Sequence, residues 1–314
     1  MKIPPVLRVG FLRWGIGICL GFGPAALARA AAPTQAAEND HATHARQVLH
    51  EIMDSEQTWV RIHAAEALIA AGEAKEIRAD FLKRMPEFES SKIRVGLWRV
   101  LATTAPTPAD RADCIAHLEK IYLTPDATDH PQSLETLCKL GEKLRGPARD
   151  LMRREAAGAP SPQTLLALWS AVLAKESGAV KKLTALLESP DVSLRGSAGY
   201  ALRWLHLSDP AVGRALTRAA EKEPADSSAY PAILGAAVAS PEADGAQKAN
   251  WIVKLDRVFA TGKTAARFEA SWTLKYFYMP ADLPRIAPML DLPADQNDAR
   301  IGAASIILTS LARK

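Results

Sequence analysis

The sequence predicts an all-α chain, an α-solenoid of stacked helix pairs. Three observations predict it. From about His41 onward the apolar residues recur at helical spacing, and no alternating run of strand type interrupts them. The composition is 48% hydrophobic but only 6% aromatic, with much Ala and Leu, which suits close-packed helices better than a β-sandwich. A short pattern built on Arg, small residues and Leu returns along the chain at a near-constant interval. At 314 residues the chain is long for one compact core and ordinary for a repeat array.

Residues 1–30 have the order of a secretory signal peptide. Lys2, Arg8 and Arg13 precede the apolar stretch Trp14 to Phe22, Pro24 breaks it, and Ala28-Arg29-Ala30 offers a small-x-small cleavage site before Ala31. The apolar stretch is far short of the roughly 20 residues that span a bilayer, so no membrane span is expected to remain after cleavage. Cys19 follows Ile18 where a lipoprotein would have a small residue, which argues against a lipid anchor. The expected destination is the periplasm or the exterior. The leader also carries the chain's excess charge. The formal +4 includes Lys2, Arg8, Arg13 and Arg29; without those four, 35 basic residues face 35 acidic ones. A near-neutral mature chain lacks the basic footprint of a nucleic-acid binder. Residues 31–40 have no apolar periodicity and are expected to be a flexible mature N-terminus, with the solenoid occupying 41–314.

The clearest repeat unit runs from Trp59 to Leu68 and is followed by Gly72: an apolar residue, Arg61, small residues at Ala64 and Ala67, then Leu68. Small residues three and six positions after the Arg let neighbouring helices approach closely. Related units are centred on Arg94, Arg195, Arg267 and Arg300. Arg94 lies 33 residues after Arg61, and Arg300 lies 33 after Arg267. The longer gaps hold two or three repeats of similar length, whose degenerate units fall near Ser133–Leu140, Leu165–Leu173 and Tyr230–Val238. This gives about eight first helices, at 57–71, 90–104, 131–143, 162–174, 191–206, 227–239, 263–278 and 297–312, preceded by a capping helix near 42–54. The last unit is a half-repeat. Seven second helices lie between the first helices, and Thr107-Pro108, Ser161-Pro162, Ser189-Pro190, Ser208 with Pro210, and Ser240-Pro241 are expected to cap helix starts.

These units resemble the first helices of HEAT repeats and of the related bilin-lyase-like repeats, strongly in the first, fifth, seventh and eighth units and weakly in the middle. The resemblance implies a superhelix that binds another protein, with second helices lining its concave face. It does not carry an active site over. The HEAT-repeat deoxyhypusine hydroxylases hold iron with several His-Glu pairs, whereas only His50-Glu51 is present here, with His41 and His44 in a loose cluster nearby. Ala260 to Thr264 resembles the end of a phosphate-binding loop, but Arg257 stands where that motif needs Gly, and a helix–helix turn is the expected structure. No nucleophile elbow or Cys-His signature appears. Neither catalytic residues nor a cofactor or metal site is expected.

The candidate binding residues are surfaces. Arg145, Arg149 and Arg153, and likewise Arg214, Arg218 and Lys222, are spaced by four and so form basic stripes on two second helices. Their alternative is an ordinary solvated face, since Asp150, Glu155, Glu221 and Glu223 are close by. Phe268, Trp272 and Tyr276 form an aromatic face on a helix whose core face is already supplied by Ala266, Ala270, Thr273, Leu274 and Phe277. It is either packing between adjacent helices or an anchor for a partner. Cys114 and Cys138 stand equidistant from the turn near residue 126, so they either face each other in a disulfide or are two small buried residues. The function expected from all this is a non-catalytic protein-binding scaffold. A binder of an acidic glycan or other polyanion through the stripes, and an enzyme with a dispersed site, are the alternatives. The leader reading is checked by N-terminal sequencing of the exported protein, which should begin at or near Ala31.

Overall fold

The computed structural model describes residues 34–89, 91–124 and 127–313. The leader, its cleavage site and Cys19 lie outside the described residues. Among the described residues there is no strand, and there are seventeen α-helices. In chain order these are α1 (Gln35–Ser55), α2 (Trp59–Ala70), α3 (Ala74–Lys83), α4 (Met85–Glu89), α5 (Arg94–Thr103), α6 (Pro108–Leu123), α7 (His130–Lys139), α8 (Gly146–Ala156), α9 (Pro162–Leu173), α10 (Ala179–Ala185), α11 (Val192–Leu205), α12 (Pro210–Lys222), α13 (Tyr230–Ala239), α14 (Gly245–Thr261), α15 (Thr264–Leu274), α16 (Leu283–Ile286) and α17 (Asn297–Ala312). Short 3-10 turns follow α10 and flank α16.

The eight expected first helices correspond to α2, α5, α7, α9, α11, α13, α15 and α17, each within a few residues of its expected bounds. The N-terminal region differs from expectation. Helix α1 already begins at Gln35, because the Thr34 side chain accepts from the Ala37 amide and the alanines that follow favour helix. Several caps differ too. Thr107 and Ser161 cap their helices as expected. Asp191, Asp209 and Asp244 cap α11, α12 and α14 in place of Ser189, Ser208 and Ser240. The carboxylate one to four residues on is the acceptor that reaches the free amides.

Each first helix packs on the next, from α2 through α5, α7, α9, α11, α13 and α15 to α17, and α17 then packs on α2. The other helices pack on the outside of this succession, and α1 packs on both α2 and α17. The contacts therefore form a closed circuit. The expected unpaired half-repeat is not left open: α1 covers the flank of α17 that a second helix would have covered. Polar side chains reinforce the seam. Asn297 donates to Glu56 at 2.8 Å, Arg300 pairs with Glu51 at 3.3 Å, and His63 lies 3.5 Å from Asp298.

Four of the five recurring arginines share a task at one end of the helices. Arg61 donates to the Asp54 carbonyl, Arg195 to those of Ser189 and Pro190, Arg267 to those of Ala260 and Gly262, and Arg300 to that of Leu290. These carbonyls belong to the segment just before the helix, where the chain would otherwise leave acceptors unpaired. Three of the five recurring arginines pair with an acid further on: Arg61 with Glu87, Arg94 with Asp129, Arg195 with Glu223. Hydrogen bonds from Arg94 hold the Asp129 carboxyl below the usual carboxylate range, and those from Arg195 do the same for Glu223.

A second ladder sits at the opposite end. Helices α2, α7 and α9 each end on a residue with positive φ: Gly72 (99°), Gly141 (73°) and Lys175 (59°). The next residue is a glutamate every time, and its amide returns to a carbonyl five residues back, at Leu68, Leu137 and Ala171. The turn aims Glu73, Glu142 and Glu176 at an arginine of the outer helix before it: Arg46, Arg111 and Arg149 respectively.

Gly is the residue that adopts this left-handed turn without cost, and Lys175 does not. Lys175→Gly should therefore raise stability by about 0.5 to 1 kcal/mol, while Gly141→Ala should lower it by about 1 kcal/mol. Urea denaturation of the two variants checks both signs.

Candidate functional site

Side chains from helices that are not neighbours in the circuit touch one another, which only its interior permits. Tyr200 of α11 donates to Glu135 of α7 at 3.0 Å, across α9. Arg203 of α11 pairs with Glu269 of α15 at 2.6 Å, across α13. His63 of α2 stacks on Phe268 of α15 with ring centroids 4.7 Å apart, across α17. Arg99 of α5 reaches Glu66 of α2 at 2.6 Å and lies over Trp59, and Lys139 pairs with Glu135 at 2.9 Å. An aromatic series runs through the same space: Trp169, Tyr200, Trp204, Trp272 and Phe268, each within 6.5 Å of the next.

The repeat explains why these residues meet. Counting five positions on from each recurring Arg gives Glu66, Arg99, Tyr200, Trp272 and Ser305. Five residues turn a helix by about 500°, so this position lies about 140° from the Arg on every unit, and Glu66, Arg99, Tyr200 and Trp272 make their contacts in the interior. Close approach is needed for the ring to be this tight. A Cβ on Gly199 would come within 3.0 Å of the Ile233 backbone, so α11 and α13 pack backbone to backbone.

The electrostatics follow from burial against pairing. Desolvation would raise the Glu135 carboxyl, but Lys139, Arg99 and the Tyr200 hydroxyl outweigh it and hold it below the usual range. Burial lowers the Lys139 ammonium, helped by Arg99. Tyr200 is pushed well up by burial and by the nearby carboxylates. Lys275, just past the end of α15, is pushed down to about 8 by burial and by Arg203, with Glu66 acting against it.

On the side where α7, α9, α11 and α13 begin, the interior opens into a cavity of about 510 Å³. Its walls are Pro131, Leu165, Val192, Ser193, Ser197 and Ala229, and Glu135, Tyr200 and Glu269 reach it from the interior. Among the described residues, no group of three or more His, Cys, Asp or Glu is placed to hold a metal ion, and no helix is long and apolar enough to cross a membrane.

The basic stripes lie elsewhere. First helices, not second helices, face the interior, so the stripes on α8 and α12 do not line it. Arg149 and Arg153 both bind Glu176, holding its carboxyl below the usual range. Arg218 lies 3.7 Å from Glu188, and Arg145, Arg214 and Lys222 are exposed. The aromatic face of α15 divides: Phe268 and Trp272 pack inside, whereas Tyr276 is 54% exposed. Cys114 and Cys138 are both buried and free, and no disulfide joins them. Cys138 points toward α9, with its sulfur 3.9 Å from the Leu166 carbonyl, so equal distance from the turn does not make the thiols face each other. The Ala260–Thr264 segment joins α14 to α15 as the expected helix–helix turn. The α15 aromatic register aligns in the first unit with Ile62, Glu66 and Ala70, and carrying the same register through the remaining units is the signal that finds the interior charges.

No protein-family description, curated protein or solved structure matches this chain.

Arg203 is nearly buried and Glu269 mostly so, hence each needs the other. Glu269→Leu should cost about 3 kcal/mol, because it strands the guanidinium, and adding Arg203→Met should recover part of that loss. A double-mutant cycle in urea measures it.

Proposed function

We propose that this protein is a non-catalytic scaffold of the periplasm or exterior, built of about eight HEAT-like repeats, that grips a segment of a partner protein. The observation that carries this is the 510 Å³ cavity where four first helices begin. Its walls are small and apolar, with hydroxyls from Ser193 and Ser197, and suit an inserted side chain or chain end. The leader supports export, and the role shared by four of the recurring arginines supports the repeat resemblance.

The polar groups of the cavity favour binding over chemistry. Glu135 is occupied by Lys139 and Tyr200, and Glu269 by Arg203. A general acid needs a carboxyl that keeps its proton near neutral pH, and Glu135 is held the other way. Among the stripe residues, Arg149 and Arg153 already share one carboxylate, which favours a protein partner over a polyanion.

Filling the cavity tests the reading. Ser197→Trp should abolish affinity capture of the partner from the native compartment, while helical content and melting temperature stay close to those of the parent chain. Undiminished capture by a folded Ser197→Trp protein overturns it.

A further inference from the structure

At the opposite mouth of the interior, where the first helices end, the arrangement of charge is different. Arg99, Lys139 and Arg203 each have a carboxylate partner. Lys275 has none. Its ammonium instead lies 4.1 Å from the centre of the Trp272 ring and 5.2 Å from that of Tyr276. The Nη2 of Arg203 is buried without a hydrogen-bond partner. Beside them are Trp204 at 36% exposure and Tyr276 at 54%, and the segment that follows Lys275 also exposes Phe277 at 42% and Met279 at 57%. The backbone carrying them is fixed, since Arg313 donates to the carbonyls of Tyr276 and Tyr278.

Resting on the scaffold reading, we infer that this mouth is a second binding surface, for a partner segment that carries a single carboxylate beside an aromatic or large aliphatic side chain. A cation drawn out of water without a counter-ion is costly, and a bound carboxylate removes that cost. The flanking rings supply apolar area of the kind that dominates interface energy. A sugar fits less well. Its many hydroxyls need donors and acceptors, and here Lys139 and Arg203 are already engaged while Phe277 and Met279 offer none.

Lys275 also makes the surface pH-sensitive. The charged groups that act on it are Arg203 of α11 and Glu66 of α2. Helix α13 carries no charged residue, Asp298 and Arg300 of α17 are engaged with His63 and Glu51, and Asp256 of α14 with Tyr278 and Arg285. With its ammonium pushed down to about 8, Lys275 is charged at pH 7 and mostly neutral at pH 9. Affinity for an anion therefore falls as pH rises through that range.

The test uses the mature chain, its tryptophan fluorescence, and a blocked peptide with one glutamate between two phenylalanines. Saturable binding is expected at pH 7, weaker by about tenfold for the glutamine counterpart and for Lys275→Met. Affinity should fall between pH 7 and pH 9 in the parent chain and hold steady in Lys275→Arg, whose guanidinium stays charged. Equal binding of the two peptides, an unchanged Lys275→Met, or tighter binding of an oligogalacturonate than of the peptide overturns the inference. None of these results bears on capture by the Ser197→Trp protein, so the two mouths stand or fall separately.

Discussion

The structure depends on the burial of α17. Residues on every side of this helix are buried, including Ala299, Ile301, Ala303, Ala304, Ile306, Ile307 and Leu308. A helix apolar all round is stable in water only when neighbours enclose it. Here α15 covers one flank, α1 and α2 the other, and the turn Ala287–Asp291 the outside. An open repeat array needs a polar cap at each end, because its terminal units expose one apolar face. Meeting end to end removes both faces at once, and it joins residues more than 230 positions apart, such as His63 with Asp298. Helix α13 is buried all round for the same reason, with α11, α12, α14 and α15 about it.

Closure also decides what the inside must be made of. Helices that turn the same register inward bring that register to one small volume. Were it wholly apolar, any inner helix would pack on any other, and nothing would fix their heights. Polar contacts between helices answer this: Glu66 meets Arg99, Glu135 meets Tyr200, and Glu269 meets Arg203. Such pairs contribute little net stability, because desolvation offsets most of their attraction. Their penalty for misalignment is large, since a slipped helix would strand a charge. They act on register more than on stability. The two Arg–Glu ladders at the helix ends do the same work on the outside, where solvent reduces the energy of each rung.

The repeat made the helices legible, because its Arg, small residues and Leu serve packing that every unit shares. Even units without the Arg kept the apolar period, so α7, α9 and α13 fell near their expected places. Closure was not legible. Nothing local in Asn297 or Glu56 announces that they will meet, since that contact follows from the curvature summed over all units. The interior charges occupied an intermediate position. Glu66 and Tyr200 look like solvent-facing variation when each unit is read alone, and they stand out only when the residue five after each Arg is compared across units. The Gly-Glu and Lys-Glu steps after α2, α7 and α9 were likewise present in the sequence, but their meaning depends on an arginine about 30 residues earlier. Of the two alternatives for Cys114 and Cys138, buried free thiols are what the structure holds, because equal height along the helices does not set the direction in which each side chain leaves its axis.

The two mouths differ in kind, and helix direction is the cause. All first helices run the same way, so one mouth collects their free amides and the other their free carbonyls. At the amide end the partial charge is positive, and the carboxylates of Glu135 and Glu269 approach it from the interior. At the carbonyl end the partial charge is negative, and Lys139, Arg203 and Lys275 gather there. Each set of side chains thus opposes the field of the backbone nearest to it. Among the described residues Arg99, Lys139 and Arg203 each have a carboxylate partner, and Lys275, which comes from the turn after α15 and not from the helix itself, has none. Being off the helix, it is free of the register that pairs the others, and a charge from outside can be added beside it without displacing one already there.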